Sequence, residues 1–261
     1  MSTSLARLLA INGYRARVVE AGPIGAPAVV VIASMVVLAP AYRPLLNRLS
    51  RHFRAYIVEL PGSGGASKLR EPWDTDAYAS WSAKLLSALG VPDITLIGHS
   101  NSGPVALSLA VSHPHLVRRL VLVDTIGFDM RFSLPRIIAA RALDAVLEPG
   151  LTLRAGWQPP FNLLRHTRNF LNQIRTAARL DLRQRAAELD VPVLIGWGKR
   201  DHTMPLRCAQ LLHEVVPRSL LYVCERGSHD WLITHPSQFA CALLDYVNGH
   251  GAAKPDNANH D

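Results

Sequence analysis

Short, continuous apolar runs alternate with stretches of helical spacing along most of this chain. Ala28 to Ile32, Ala55 to Val58, Ile94 to Ile97, Val117 to Val123, Val191 to Trp197 and Ser219 to Val223 are brief and largely β-branched or aliphatic. Runs of that kind predict strands buried on both faces of a parallel sheet. Ala41 to Arg51, Thr75 to Leu89, Leu206 to Val216 and Pro236 to Val247 repeat apolar residues at helical intervals. In the second of these the stripe is Tyr78, Trp81, Leu85 and Leu89, a face for packing on the sheet. The chain begins differently, because Leu8 to Ile11 and Tyr14 to Glu20 alternate around Asn12-Gly13. That dipeptide suits a type I′ turn and predicts an antiparallel hairpin. Together the elements predict an α/β fold: a mostly parallel, doubly wound sheet with the hairpin at its edge.

Between Gly127 and Asp190 the alternation stops. No buried strand is drawn there, while residues 133–148 and 161–180 have helical periodicity, with Pro135, Pro149-Gly150 and Pro159-Pro160 as punctuation. The expected organisation is a core of residues 1–127 and 190–248, a helical cap or lid over 128–189, and a flexible C-terminal tail over 249–261.

With 261 residues, 49% hydrophobic and 18% charged, the chain has enough apolar material for one sizeable core. Its net charge of +8 raises a nucleic-acid partner, but aromatic residues are 7% and no helix-turn-helix or zinc-finger spacing appears, so none is expected. Cys208, Cys224 and Cys241 form neither a metal pattern nor a disulfide framework, which points to reduced thiols in a cytoplasmic protein. The N-terminus has no secretory pattern. The longest apolar run, about thirteen residues interrupted by Ser34, falls short of the roughly twenty that span a bilayer, so no membrane span is expected.

Candidate chemistry centres on Ile94 to Leu107, ITLIGHSNSGPVAL. A strand-like run ends at Gly98, a polar turn follows, and Gly103 opens a helix-compatible stretch. A serine at the apex of such a turn is held in a strained backbone that exposes its hydroxyl, and small neighbours are required two residues to either side. The stretch resembles the nucleophile elbow of the α/β-hydrolase family, usually G-x-S-x-G, with Ser100 as nucleophile and Ser102 where the pattern has glycine. ELPGSGGAS, from Glu59 to Ser67, resembles the D-L-P-G-x-G-x-S loop of the same family.

The resemblance implies a serine, acid and histidine in that chain order. Gly198-Lys199-Arg200-Asp201 follows a predicted strand and matches G-x-x-D, assigning Asp201 as the acid that orients the imidazole. Gly227-Ser228-His229 precedes the closing helix and matches G-x-H, with HPSQF at the usual H-P-x-x-F helix start, so His229 is the general base. Asp124, at another strand end, is the alternative acid. The implied oxyanion donors are the backbone N–H groups of Asn101 and Met35. Here the chain departs from the family, with Ala33-Ser34 in place of His-Gly, and Ser34 enters as a possible hydroxyl donor and substrate contact.

Ten arginines between residues 131 and 185 face only Asp144, Glu148 and Asp181. They read first as solvated helix faces, the alternative being a basic lid that steers anionic substrates or acyl groups on phosphorylated carriers. Phe161, Leu164, Phe170, Leu171 and Ile174 are expected to pack the lid over the serine, with Phe161 a substrate contact. Hydrolysis of a carboxylic ester or related acyl bond in a small molecule, through an acyl-enzyme and without metal or organic cofactor, is the activity implied. C–C bond or thioester hydrolysis, or a catalytically silent binding protein, are the alternatives; oligomeric state is not legible.

Overall fold

The computed structural model describes residues 4–128 and 133–249, without the side chains of Leu134 and Arg154. Residues 129–132 of the expected cap, and the expected tail from 250 onward, lie outside the described residues. Eight strands make one sheet: β1 (Leu5–Ile11), β2 (Tyr14–Ala21), β3 (Ala28–Ile32), β4 (Arg54–Glu59), β5 (Ile94–His99), β6 (Val117–Val123), β7 (Val193–Gly198) and β8 (Ser219–Cys224). They lie in the order β1-β2-β4-β3-β5-β6-β7-β8. The first two pair antiparallel, as does β2 with β4, and all other pairs are parallel. Asn12 and Gly13 both have positive φ, as the predicted hairpin turn requires.

Helices α1 (Arg43–Leu49), α2 (Thr75–Leu89) and α3 (Gly103–Ser112) connect the first strands. Between β6 and β7 come α4 (Leu134–Leu147), α5 (Pro149–Ala155), α6 (Gln158–Arg165), α7 (Thr167–Ala177) and α8 (Arg183–Ala187). The chain closes with α9 (Arg207–Val215), α10 (Trp231–Thr234) and α11 (Pro236–Val247). Side chains alternate across the sheet, so the core divides in two. Val30, Leu96 and Leu122 pack with α2, α3 and α9 on one face, and Val31, Ile97 and Val123 pack with α1 and α11 on the other. The doubly wound α/β sheet is therefore present as the alternation predicts.

The helical segment departs from expectation in detail. The predicted helix over 161–180 breaks at His166 into α6 and α7, and Pro149 and Pro159-Pro160 open α5 and α6. Proline at the first helical positions gives up an N–H that has no helical partner there, so it starts a helix at little cost.

Candidate active site

β5 delivers the chain into a tight turn, Ser100–Ser102, before α3. Ser100 has φ +54°, a left-handed conformation that L-residues rarely hold without support. Close packing supplies it: a Cβ on Gly98 would stand 2.6 Å from the Ala106 Cβ, and one on Gly103 would collide with the Thr125 side chain. Ser102 is no obstacle, since its Oγ donates to the Ile32 carbonyl at 2.7 Å and accepts the His99 N–H at 3.0 Å. Its side chain ties the turn to β3 rather than forcing strand and helix apart.

The Ser100 Oγ lies 2.8 Å from His229 Nε2, and His229 Nδ1 lies 2.8 Å from Asp201 Oδ2. Three residues predicted from separate motifs thus meet in one hydrogen-bonded line at the carboxyl edge of the sheet. Asp201 follows β7, and its second oxygen accepts the Met204 N–H at 2.7 Å, which fixes the carboxylate toward the imidazole. A proton on Nδ1 shared with Asp201 leaves Nε2 as the acceptor facing the serine. Burial alone would lower the His229 pKa, but the charge and hydrogen bond of Asp201 outweigh it and hold it above the ordinary histidine value.

Asp124 does not take the acid's place. It is buried, with one oxygen accepting the Gly198 N–H at 2.9 Å. Burial, and next the neighbouring Asp201 charge, push its carboxyl well above the usual range. Glu59 is structural: it accepts the N–H groups of Ala39 and Gly65, each at 2.8 Å, and joins two loops. His99 points away from the serine into the core. Tyr42 donates to its Nδ1 at 2.6 Å and accepts the Ser34 N–H at 2.9 Å. Burial lowers the His99 pKa to about 4, so the ring is neutral and its Nε2–H donates a hydrogen bond to the His229 carbonyl at 3.2 Å. Tyr42 and His99 thereby anchor the Ala33-Ser34 loop where the family pattern has His-Gly, a role that the sequence did not signal.

The expected oxyanion donors lie together, though one is engaged. The Met35 N–H donates to Asn101 Oδ1 at 2.9 Å, and the Ser34 hydroxyl donates to the same oxygen at 3.0 Å. A cavity of about 160 Å³ opens beside them, lined by Ser34, Met35, Asn101, Ser100 and His229 together with Arg141, Phe170 and Ile174 of the helical segment. Phe161 is a correction: it is not part of that lining but stands on an exposed face, edge-on to Trp157 at 5.6 Å. Leu164 and Leu171 are exposed as well. Toward the loops beneath, α6, the break at His166 and α7 turn Gln158, Asn162, His166 and Asn169, because those loops present backbone groups that need partners. Gln158 accepts the Leu38 N–H at 2.7 Å, Asn162 bridges the Met35 carbonyl at 2.6 Å and the Gly64 N–H at 2.8 Å, His166 donates to the Gly64 carbonyl at 3.1 Å, and Asn169 donates to that of Gly62 at 3.0 Å.

Arg141 and Asp230 belong to the site without having been singled out in the sequence; their pair, at 2.8 Å, sits next to His229. Among the described residues no cluster of three or more His, Cys, Asp or Glu is arranged to hold a metal, and no helix is long and apolar enough to cross a membrane.

Comparison with known proteins bears on the fold. Residues 28–145 match the family described as alpha/beta hydrolase fold. The chain is 25% identical over 233 residues to the protein named "Putative carbamate hydrolase RutD" of Caulobacter sp. (strain K31), covering 81% of this chain and 87% of that one. Among solved structures it is similar to an enol-lactonase from Burkholderia xenovorans LB400 (TM-score 0.76, 20% identity, 93% of this chain and 100% of that one). It is similar also to an esterase from Exiguobacterium antarcticum (TM-score 0.78, 20% identity, 95% of this chain and 100% of that one). At 20% identity the two structural likenesses speak for the fold.

Proposed function

Because this chain belongs to the α/β-hydrolase fold family, we propose that it is a serine hydrolase cleaving a carboxylic ester or related acyl bond of a small molecule. The observation that carries this reading is the relay of Ser100, His229 and Asp201, with 2.8 Å at each link. His229 removes the Ser100 proton as the hydroxyl attacks the acyl carbon, and Asp201 stabilises the imidazolium that results. The same histidine returns the proton to the leaving group, then activates water to release the acid from the acyl-enzyme.

The Asn101 and Met35 N–H groups act as the oxyanion donors. Met35 must exchange the Asn101 carboxamide for the oxyanion, an acceptor that carries more charge and forms the stronger bond. Helices α4 to α8 act as the cap, closing an apolar cavity over the serine. The relative named for carbamate hydrolysis supports acyl transfer to water rather than a silent binding role, which has no need of an aligned relay.

Hydrolysis of 4-nitrophenyl esters of graded chain length, together with labelling by a fluorophosphonate, tests the reading. Ser100→Ala is expected to lose label and about 10⁴-fold or more in turnover. Equal rates for the variant and the parent protein would remove Ser100 as nucleophile.

A further inference from the structure

Arg141, on α4, forms part of the cavity wall and pairs through Nη2 with Asp230, the residue after His229. Its other terminal nitrogen, Nη1, has no partner among the described residues and lies just beneath the cavity surface, so it meets an acceptor in the cavity once the guanidinium turns toward it. A buried donor left in that state is costly, and folded proteins seldom keep one without a use.

An arginine in a substrate cavity suggests an anion, but the charges around this one argue otherwise. Asp230, Asp144 and Asp201 all act on the guanidinium. Asp230 is held at 2.8 Å, and Asp144 is itself engaged by His202 at 2.9 Å and Thr203 at 2.7 Å. One cation is thus already outnumbered by carboxylates, and a further carboxylate would enter a poorly solvated space against like charge. Asn169, whose Oδ1 is also buried and without a partner among the described residues, belongs to the same wall and brings no positive charge. The remaining lining is largely apolar, as with Val37, Ile126, Ile137, Phe170 and Ile174.

We propose that Arg141 Nη1 is a specificity-determining donor for an uncharged oxygen acceptor, a ketone, ester or amide carbonyl set apart from the scissile bond, and that the site selects against carboxylate-bearing substrates. This rests on the serine-hydrolase reading for the identity of the cavity as the substrate site.

Binding and turnover separate the two claims. Three probes of nearly equal shape are titrated against the Ser100→Ala protein by NMR: methyl 5-oxohexanoate, methyl hexanoate and monomethyl glutarate. The keto ester is expected to bind about tenfold or more tightly than the alkyl ester, the scale of a hydrogen bond from a charged donor, with the carboxylate weakest. Arg141→Lys in the same background keeps a cation for Asp230 but loses the second donor, and the ratio between keto and alkyl esters should fall toward one. Equal binding of those two, tightest binding of the glutarate, or a ratio unchanged in Arg141→Lys would overturn the assignment. Failure of the parent protein to hydrolyse any ester, with the binding order intact, would instead count against the hydrolytic reading alone. If Arg141→Lys does not fold by circular dichroism, the probe order in Ser100→Ala still decides.

Discussion

In β6, Leu120, Val121, Leu122 and Val123 are all buried, whereas in α6 the buried residues are Gln158 and Asn162 and Leu164 stands 82% exposed. The two regions meet different surfaces. Sheet backbones satisfy one another along the ladder, so a strand turns only side chains to its neighbours and apolar ones are favoured. Helices α6 and α7 settle on the loops around Met35, Leu38 and Gly62 to Gly64, whose backbone groups have no ladder to join. There the inward face must bring donors and acceptors, and the apolar residues of α6 are left outside. Hydrophobic patterning therefore reports burial against side chains, and it inverts where an element docks on irregular backbone.

The largest effect should come from the sheet. Leu122→Ala, which empties a fully buried site, is expected to cost about 2–5 kcal/mol in urea unfolding. Asn162→Leu follows what the apolar pattern would favour, yet it strips partners from the Met35 carbonyl and the Gly64 N–H. A loss of about 1–3 kcal/mol is expected, with a fall in ester turnover because the Met35 loop loosens. Should Asn162→Leu prove more stable than the parent, the proposed inversion is wrong.

Acid should divide the regions as well. His229, raised by Asp201 despite burial, must be neutral to accept the serine proton, so turnover should rise with pH along a limb whose midpoint lies above 6.5. Below that midpoint the rate should fall about tenfold per pH unit. His166 is shifted the other way, chiefly by burial, with Nδ1 unpartnered among the described residues. An undocked His166 takes up a proton before the docked one does. Docking of α6 and α7 should therefore weaken as pH falls below 6.5. Limited proteolysis from pH 8 to 5 reads this directly, and a flat cleavage rate would break the assignment. The smallest effect is expected at Leu164→Gln, within about 0.5 kcal/mol by thermal unfolding, since that side chain already meets water.

Much of the sheet was legible because each strand is a local run whose period and length are its own evidence. Ser100, Asp201 and His229 were legible for a related reason, each lying at the end of a predicted strand within a short motif. Asn162, Tyr42, Arg141 and Asp230 left no such trace. Their roles depend on partners as far as 127 residues away, with 57 residues between Tyr42 and His99 and 89 between Arg141 and Asp230. Phe161 was misplaced because helical spacing identifies a face but not what that face will meet.

By itself the sequence determined the alternation of strands and helices, the edge hairpin, and the three chemical groups at the strand ends, since all of these follow from neighbours a few residues apart. Tertiary structure alone decided that the carboxamide of Asn101 lies on the Met35 N–H, that a polar file fastens the helical segment, and that one arginine nitrogen is left unmatched beside the serine. Those outcomes depend on which backbone and charged groups distant segments present to one another, and only the folded chain brings them within hydrogen-bonding distance.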